Sequence, residues 1–179
     1  MQYTLKNDMV IDVRDVNVSD AAAIVVYFKL VNTQTKNLLR EPNEADLTIE
    51  DEIKFLEKMV SSSDECMFMG LHKGIIIGLA GFHGSNLKRI THKVSFGISL
   101  LRDYRSLGIG TVLMEILVQK AKEHGKKKIE LDVRIDNPRA IRVYEKLGFI
   151  KEGVRKNSFY VDGKYIDLYL MGLWIEEEE

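Results

Sequence analysis

Two glycines and an arginine stand together where a strongly periodic apolar segment begins. Arg105, Gly108 and Gly110 surround the start of residues 109–121, whose apolar side chains recur every three or four positions, as in a helix. The first N–H groups of a helix have no partner within it, and glycine lets a ligand approach the backbone closely. With the helix dipole and the arginine charge, this turn predicts a phosphate or pyrophosphate site. A plain glycine-rich turn is the alternative, since neither the Walker A motif nor GxGxxG is present.

A second segment with reactive side chains, LDVRIDNPRAIRVYEKLGF, covers residues 131–149. Asn137 precedes a proline at the start of a predicted helix that Gly148 ends. Tyr144 follows two turns into that helix. Each residue has a structural alternative, because Asn137 is also a good N-cap and Tyr144, which shares a helical face with Ile141, is also suited to the core.

Alternation and turn residues predict the strands that position these segments. The predicted strands cover residues 9–14, 65–72, 75–82, 91–101, 129–133, 149–155, 158–161 and 165–174. Lys73-Gly74 and Asp162-Gly163 are expected to form hairpin turns. Helices alternate with strands in the second half of the chain, which predicts a mixed sheet with helices packed on its faces.

Two further helices are predicted in the first half. Ser19 is expected to cap a helix over residues 20–31, and Thr48 a second helix that ends near Val60. In the first helix the apolar residues at helical spacing are Ala22, Ala23, Val26, Tyr27 and Leu30. In the second, the residues expected on one buried face are Ile49, Ile53, Leu56 and Val60.

The composition is that of an ordinary soluble globular protein. The chain has 179 residues, 26 basic and 27 acidic side chains, a net charge of −1 and 45% hydrophobic residues. This balance argues against a nucleic-acid binder, and neither a membrane-spanning run nor a signal-peptide pattern is present. One cysteine, Cys66, excludes an intramolecular disulfide, and zinc-ligand spacing is absent. We therefore expect one cytoplasmic domain over residues 1–179, with an acidic tail at 176–179 and no metal, membrane or nucleic-acid partner.

Together, the two reactive segments resemble the GCN5-related N-acetyltransferase (GNAT) family. The motifs that carry the resemblance are Arg105-x-x-Gly108-x-Gly110 and Asn137-x-x-Ala140-x-x-x-Tyr144-x-x-x-Gly148-Phe149. The likeness covers about residues 95–171. Residues 152–171, EGVRKNSFYVDGKYIDLYLM, are similar to the branch with ribosomal-protein-alanine, amino-acid and polyamine acetyltransferases.

The resemblance implies an α/β (α+β) fold with a twisted mixed sheet of about seven strands and helices on both faces. Two adjacent parallel strands would splay apart and hold acetyl-CoA, without a metal. Residues 98–101 would bind the pantetheine through their backbone, and residues 105–111 would wrap the pyrophosphate. The implied cofactor-binding residues are Ile98, Ser99, Leu100, Leu101, Arg105, Ser106, Leu107, Gly108, Ile109, Gly110, Thr111, Asn137, Ala140 and Tyr144.

Tyr144 and Asn137 are the catalytic residues that the resemblance implies. Tyr144 would lie near the thioester sulfur, where a phenol can protonate the departing thiolate, and Asn137 would contact the pantetheine arm or a water. A backbone amide of the splayed strand would stabilise the oxyanion. Since Cys66 is far from both motifs in the sequence, we expect direct transfer within a ternary complex.

The general base is left open by the sequence. Many relatives have a glutamate on the strand before the phosphate turn, and Ser95 stands at the matching position. Serine cannot deprotonate an ammonium at neutral pH. The alternatives are ordered water or one of the side chains of His83, His92, Glu41 and Glu44, whereas His72 and His124 look like hairpin and helix-end residues.

The resemblance also implies an acceptor pocket between residues 37–46 and 159–165. Its acidic side chains would attract a cationic amine, and two tyrosines would form walls. These residues are Glu41, Glu44, Asp46, Tyr160 and Tyr165. An ordinary polar loop is the alternative.

The resulting hypothesis is an acetyl-CoA-dependent N-acetyltransferase that acts on a primary amine of a small molecule or a peptide N-terminus. One alternative is a CoA-binding regulatory module without catalysis, which the serine at position 95 suggests. A second is a binder of another nucleotide that uses Gly108 and Gly110 as a generic phosphate turn. The family resemblance is also compatible with a homodimer through the C-terminal strands.

Overall fold

Eight strands and four α-helices make up the fold in the part of the chain that the structure describes. The computed structural model describes residues 1–44 and 47–175. The strands are β1 (Gln2–Thr4), β2 (Val10–Asp15), β3 (Glu65–His72), β4 (Ile75–His83), β5 (Lys93–Leu100), β6 (Lys128–Arg134), β7 (Ile150–Val161) and β8 (Lys164–Trp174). The helices are α1 (Ala21–Thr33), α2 (Ile49–Val60), α3 (Ile109–Glu123) and α4 (Pro138–Lys146). None of the helices in the described ranges is long and apolar enough to cross a membrane.

All eight strands belong to one mixed sheet in the order β1-β2-β3-β4-β5-β6-β8-β7. Every neighbouring pair is antiparallel except β5 and β6, which run parallel. The connection between these two strands is α3, as expected for a parallel crossover. The mixed sheet with helices is thus the fold class that the sequence predicts.

The local turn and capping predictions are confirmed where the signal is short-range. Lys73 and Gly74 both have positive φ, as a tight hairpin turn requires, and Asp162 and Gly163 do the same between β7 and β8. Thr48 caps α2 by accepting a hydrogen bond from the backbone N–H of Asp51. In these three cases the residues that set the geometry are neighbours in the chain.

Two strand predictions differ from the structure. The sheet has eight strands, not about seven, because the three-residue β1 pairs with β2 and is too short to give a sequence pattern. Residues 149–155 and 158–161, predicted as separate strands, form the continuous β7. Its register against β8 shifts between Arg155 and Phe159, where Asn157 has a positive φ of 52°.

The predictions for α1 are wrong in two respects. Its entrance is a short 3₁₀ turn at Val18–Asp20 capped by Asn17, whose side chain accepts from the Ser19 N–H, so Ser19 is not the cap. Val26 is 66% exposed, whereas Ile24 is fully buried. An almost entirely apolar helix shows several possible stripes, and packing alone selects one of them.

The helices divide between the two faces of the sheet and produce two cores. Helices α1 and α2 cover one face, where Ile24, Val31 and Leu56 are buried. Helices α3 and α4 cover the other, where Leu113, Leu117 and other side chains are buried. We call these the α1/α2 face and the α3/α4 face.

Strand β5 contributes side chains to both faces by strict alternation. Its residues Val94, Phe96, Ile98 and Leu100 pack in the core of the α3/α4 face. Ser95, Gly97 and Ser99 therefore lie on the α1/α2 face. The same strand thus connects the two halves of the candidate site.

Candidate active site

The parallel pair β5–β6 separates after three residue pairs. Lys93–Ser95 pair with Lys128–Glu130, although both strands continue well beyond this register. Beyond Ser95 a cleft with a volume of about 1530 Å³ opens between the strands. This is the splayed strand pair that the family resemblance implies.

The edge of β5 that borders the cleft carries backbone groups without a strand partner. The N–H of Leu101 donates to the carbonyl of Ile77, which places Leu101 on the β4 side. Because backbone groups alternate along a strand, Ser99 also faces β4, whereas Ile98 and Leu100 face the cleft. An extended ligand with amide groups could therefore hydrogen-bond to this edge as a further strand would.

The turn between β5 and α3 presents a run of free amides. The backbone N–H groups of residues 106–110 have no hydrogen-bond partner among the described residues. Positive φ angles at Ser106 (65°) and Gly108 (89°) produce this arrangement. The conformation suits glycine at position 108, and the exposed amides at the helix N-terminus form an anion site.

Arg105 holds this turn in place and adds positive charge. Its guanidinium donates to the carbonyl of Leu100 from Nε (3.1 Å) and Nη2 (2.9 Å), and to the carbonyl of Gln34 from Nη1 (3.3 Å). Partial burial lowers the pKa of Arg105, as do the nearby charges of Arg102 and Arg139. Such a cluster of cations is suited to a polyanionic ligand.

Asn137 and Tyr144 line the cleft from α4. Asn137 caps the helix, since its Oδ1 accepts from the N–H of Ala140 at 3.3 Å. Tyr144 is 8% exposed; its ring makes an edge-to-face contact with Phe96 (centroid distance 5.6 Å) and a tilted contact with Phe149 (5.9 Å). Burial raises the pKa of Tyr144 to about 12, so its hydroxyl remains a proton donor at neutral pH.

Most of the residues predicted to bind the cofactor lie together. Those that line the cleft are Ile98, Ser99, Leu100, Arg105, Ser106, Gly108, Gly110, Thr111, Asn137, Ala140 and Tyr144. The side chains of Leu101 and Ile109 are buried in the cores, and that of Leu107 packs against one of them. Leu101 also uses its N–H to bond β4, whereas Leu107 and Ile109 can contribute only backbone groups.

Of the four side chains that the sequence offers as a general base, only His83 lines the cleft. His83 pairs with Ser95 across β4 and β5 and lines the cleft. His92 instead contacts Trp174, at a centroid distance of 6.5 Å. Glu44 accepts a hydrogen bond from the Glu41 N–H at 3.0 Å, and neither glutamate lines the cleft.

The predicted walls of the acceptor pocket are not at the cleft. Tyr160 and Tyr165 are mostly exposed and contact each other, with ring centroids 5.0 Å apart. Asp46 and the tail at 176–179 lie outside the described residues. Leu38, Leu39 and Phe159 do line the cleft, so the two predicted chain segments reach it through other side chains.

Sequence patterns miss a second cavity, of about 740 Å³, on the α1/α2 face. It adjoins the cleft, because residues 97–99 and His83 line both. Polar side chains from three separate regions, Asn32, Arg40 and Glu52, line it as well. Neither a motif nor a spacing links residues so far apart in the chain.

Cys66 is buried in β3 and does not line either cavity. Burial raises the pKa of its thiol to about 11. A buried, protonated thiol is a poor nucleophile, which agrees with direct transfer.

Curated relatives of the chain include several N-acetyltransferases. The N-alpha-acetyltransferase of Sulfurisphaera tokodaii is 41% identical over 92 residues, covering 49% of this chain and 53% of that protein. The L-amino acid N-acetyltransferase AaaT of Escherichia coli is 31% identical over 99 residues, covering 55% and 61%. The chain thus spans little more than half the length of these curated relatives.

Solved structures and a family match complete the comparison. An acetyltransferase of the GNAT family from Streptococcus pneumoniae superposes with a TM-score of 0.89 at 29% identity, covering 92% of this chain and 99% of that one. The Salmonella typhimurium protein yncA, solved with its cofactor acetyl-CoA, shares the fold (TM-score 0.82, 18% identity, coverage 94% and 96%). Residues 32–149 match the acetyltransferase (GNAT) family. On this match, which extends over more than half of the chain, the protein belongs to the GNAT acetyltransferases.

Proposed function

We propose that residues 1–179 form a single acetyl-CoA-dependent N-acetyltransferase domain. The acceptor is a primary amine of a small molecule or a peptide N-terminus. The observation that carries this proposal is the cleft, in which a free strand edge, five unpartnered amides and the Tyr144 hydroxyl are brought together. The N-acetyltransferase names of the curated relatives support it.

The chain has the groups needed to hold the cofactor. The backbone of Ile98 and the N–H of Leu100, whose carbonyl already accepts from Arg105, would pair with the pantetheine arm, and residues 106–110 would donate to the pyrophosphate. Arg102, Arg105 and Arg139 supply positive charge nearby. Acetyl-CoA, when bound, supplies an activated acyl group as a thioester.

The transfer requires a hydrogen-bond donor for the acyl oxygen and a proton for the leaving sulfur. The N–H groups of β5 that face the cleft can stabilise negative charge on the oxygen. Tyr144 donates the proton to the thiolate, and Asn137 positions the pantetheine arm or a water. Because its pKa is raised, Tyr144 stays protonated in the resting enzyme.

His83 is the residue we propose for proton removal from the amine. It lies on β4 opposite Ser95 of β5 and lines both the cleft and the second cavity. An imidazole can accept a proton near neutral pH, either directly or through a water. In this role it replaces the glutamate that relatives have at the position of Ser95.

The test is a thiol-release assay with acetyl-CoA against amino acids, polyamines, aminoglycosides and N-terminal peptides. Acceptor-dependent release for at least one class is the expected result. Binding of CoA without release for any amine would support the regulatory alternative. Thermal stabilisation by ATP or NAD, but not by CoA, would instead indicate a different nucleotide.

A further inference from the structure

The second cavity has the size and composition of a small-ligand site. Its volume of about 740 Å³ lies within the usual range for such pockets. The apolar part of its wall comes from both helices of the α1/α2 face, the loop between them, β3 and β4, and includes Phe28, Leu38, Leu39, Phe55, Met67 and Leu79. It meets the cleft at residues 97–99, next to the strand edge where we place the thioester.

One buried carboxyl group in this cavity, that of Glu52, has an oxygen without a hydrogen-bond partner among the described residues. Glu52 is 3% exposed, and its Oε1 accepts no hydrogen bond from any described residue. Burial raises the pKa of Glu52, and the charge of Arg40 partly offsets this effect. The other ionisable side chains that line the cavity are Asp51, Glu65 and His83.

The rotation of α2 is what buries this glutamate. The helix packs through Glu52, Leu56 and Met59, while Ile49 and Val60 of the predicted apolar face are largely exposed. A buried carboxylate without a partner is unfavourable, so the fold retains a cost that an apolar residue would avoid. A bound cation would compensate it.

We propose that the second cavity binds the acceptor and that the Glu52 carboxylate holds its ammonium group. The apolar wall then accommodates an aliphatic or aromatic body, so the acceptor class is a primary amine on an apolar group. This inference rests on the proposed function. Glu52 provides charge recognition, whereas His83 removes the proton before transfer.

The experiment is isothermal titration of the CoA-saturated full chain with two matched probes. Phenylalaninamide carries a primary ammonium on an aromatic body, and 3-phenylpropanamide has the same body without it. The proteins are wild type, Glu52→Gln and Glu57→Gln, in which Glu57 is an exposed glutamate on the same helix. We expect Glu52→Gln to weaken phenylalaninamide binding by at least about tenfold and Glu57→Gln to leave it unchanged.

The neutral probe should bind weakly and equally to all three proteins. The melting temperature of Glu52→Gln should not fall, since the substitution removes an uncompensated buried charge. Equal affinity of wild type and Glu52→Gln for phenylalaninamide, or no binding to wild type at millimolar concentration, would overturn the proposal.

A second variant keeps the test independent of folding and of turnover. Phe55→Ala changes an exposed part of the cavity wall and should weaken both probes alike. Unchanged affinity in this variant would exclude the cavity as the binding site. Because binding is measured directly, failure of acetyl transfer would contradict the proposed function without deciding the role of Glu52.

Discussion

The cleft and the second cavity are assembled in different ways. The part of the cleft that we assign to the cosubstrate presents backbone groups from nearly consecutive residues, in the turn at 106–110 and along the edge of β5. The second cavity consists of side chains that α1, α2 and the sheet bring together across long sequence separations. Backbone recognition tolerates many sequences, whereas side-chain recognition changes with each substitution.

This difference fits a constant cosubstrate and a variable acceptor. The geometry of the phosphate turn depends on Gly108 and on the side chain of Arg105, which lie close together in the chain. The acceptor side depends on which residues happen to face inward from two helices. Substitutions that change CoA binding without changing acceptor binding, or the reverse, would therefore test the difference between the cleft and the second cavity.

The largest effect is expected for Tyr144→Phe. Phenylalanine preserves the ring contacts with Phe96 and Phe149 but removes the proton donor, so kcat should fall by about 10²–10⁴. The dissociation constant for CoA should change little. Steady-state thiol release and CoA titration would measure both quantities, and an unchanged kcat would refute the assignment of Tyr144 as the acid.

Gly108→Ala should weaken CoA binding by about tenfold or more, because a methyl group would stand beside the free amides. Gly125→Ala is the matched control. Both glycines have positive φ (89° and 66°), and a new Cβ meets no atom within 4 Å at either. Each variant should lose roughly 1–2 kcal/mol of stability.

Titration calorimetry with CoA would measure the loss of affinity, and thermal melts would measure the loss of stability. An equal loss of CoA affinity in both variants would show that backbone strain, rather than the phosphate turn, is responsible.

A smaller effect is expected where the two faces meet on β5. The Tyr27 hydroxyl lies 2.9 Å from the Ser99 Oγ, and Tyr27 is buried under α1. Tyr27→Phe should lower the free energy of unfolding by about 1 kcal/mol. In a chain of this length the melting temperature would fall by about 2–4 °C.

Tyr104→Phe is the control for this variant, since it removes a half-buried hydroxyl that contacts His72 Nδ1 at 3.2 Å. Its effect should be smaller. A larger loss of stability in the control would contradict the importance of the Tyr27–Ser99 contact.

The smallest expected effect is on the alkaline side of the pH profile. A phenol whose pKa is raised to about 12 stays protonated below that pH, so the acid form of Tyr144 persists throughout the assay range. We therefore expect kcat to show no decline between about pH 8 and pH 10. A decline there that disappears in Tyr144→Phe would show that the pKa of the phenol is not raised.

The phosphate turn and the elements around it could be predicted from patterns of residues close together in the sequence. The caps at Thr48 and Asn137, the hairpin glycines and the period of α3 depend on residues close in sequence, and each is found as expected. The same signals place the turn at 106–110 between its strand and its helix. The roles of the splayed strands, Asn137 and Tyr144 came from the family resemblance, whereas the residues themselves predicted the phosphate turn.

The second cavity, where we propose that the acceptor binds, depends on packing that local sequence signals do not predict. The sequence places Ile49 and Val60 on the buried face of α2, yet the helix is rotated so that Glu52 and Met59 face inward. A rotation that buries Glu52 and exposes Ile49 is ordinarily unfavourable, because it removes a carboxylate from water and leaves an apolar side chain in water. Apolar periodicity therefore predicts a different rotation of α2. Apolar periodicity also fails to predict which face of α1 is buried, since Val26 is exposed.

Because β5 and β6 pair over only three residues, the rest of β5 has an unpaired edge, although the strand lies in the middle of the sheet. An unpaired edge is a template for any extended chain, and on the proposed function its occupant is the pantetheine arm of acetyl-CoA. Occupancy would slow hydrogen exchange at the amides of Ile98 and Leu100 and stabilise the fold by about 2.7 kcal/mol at 100 times the dissociation constant. On the proposed function, the concentration of acetyl-CoA would therefore change the stability of this protein.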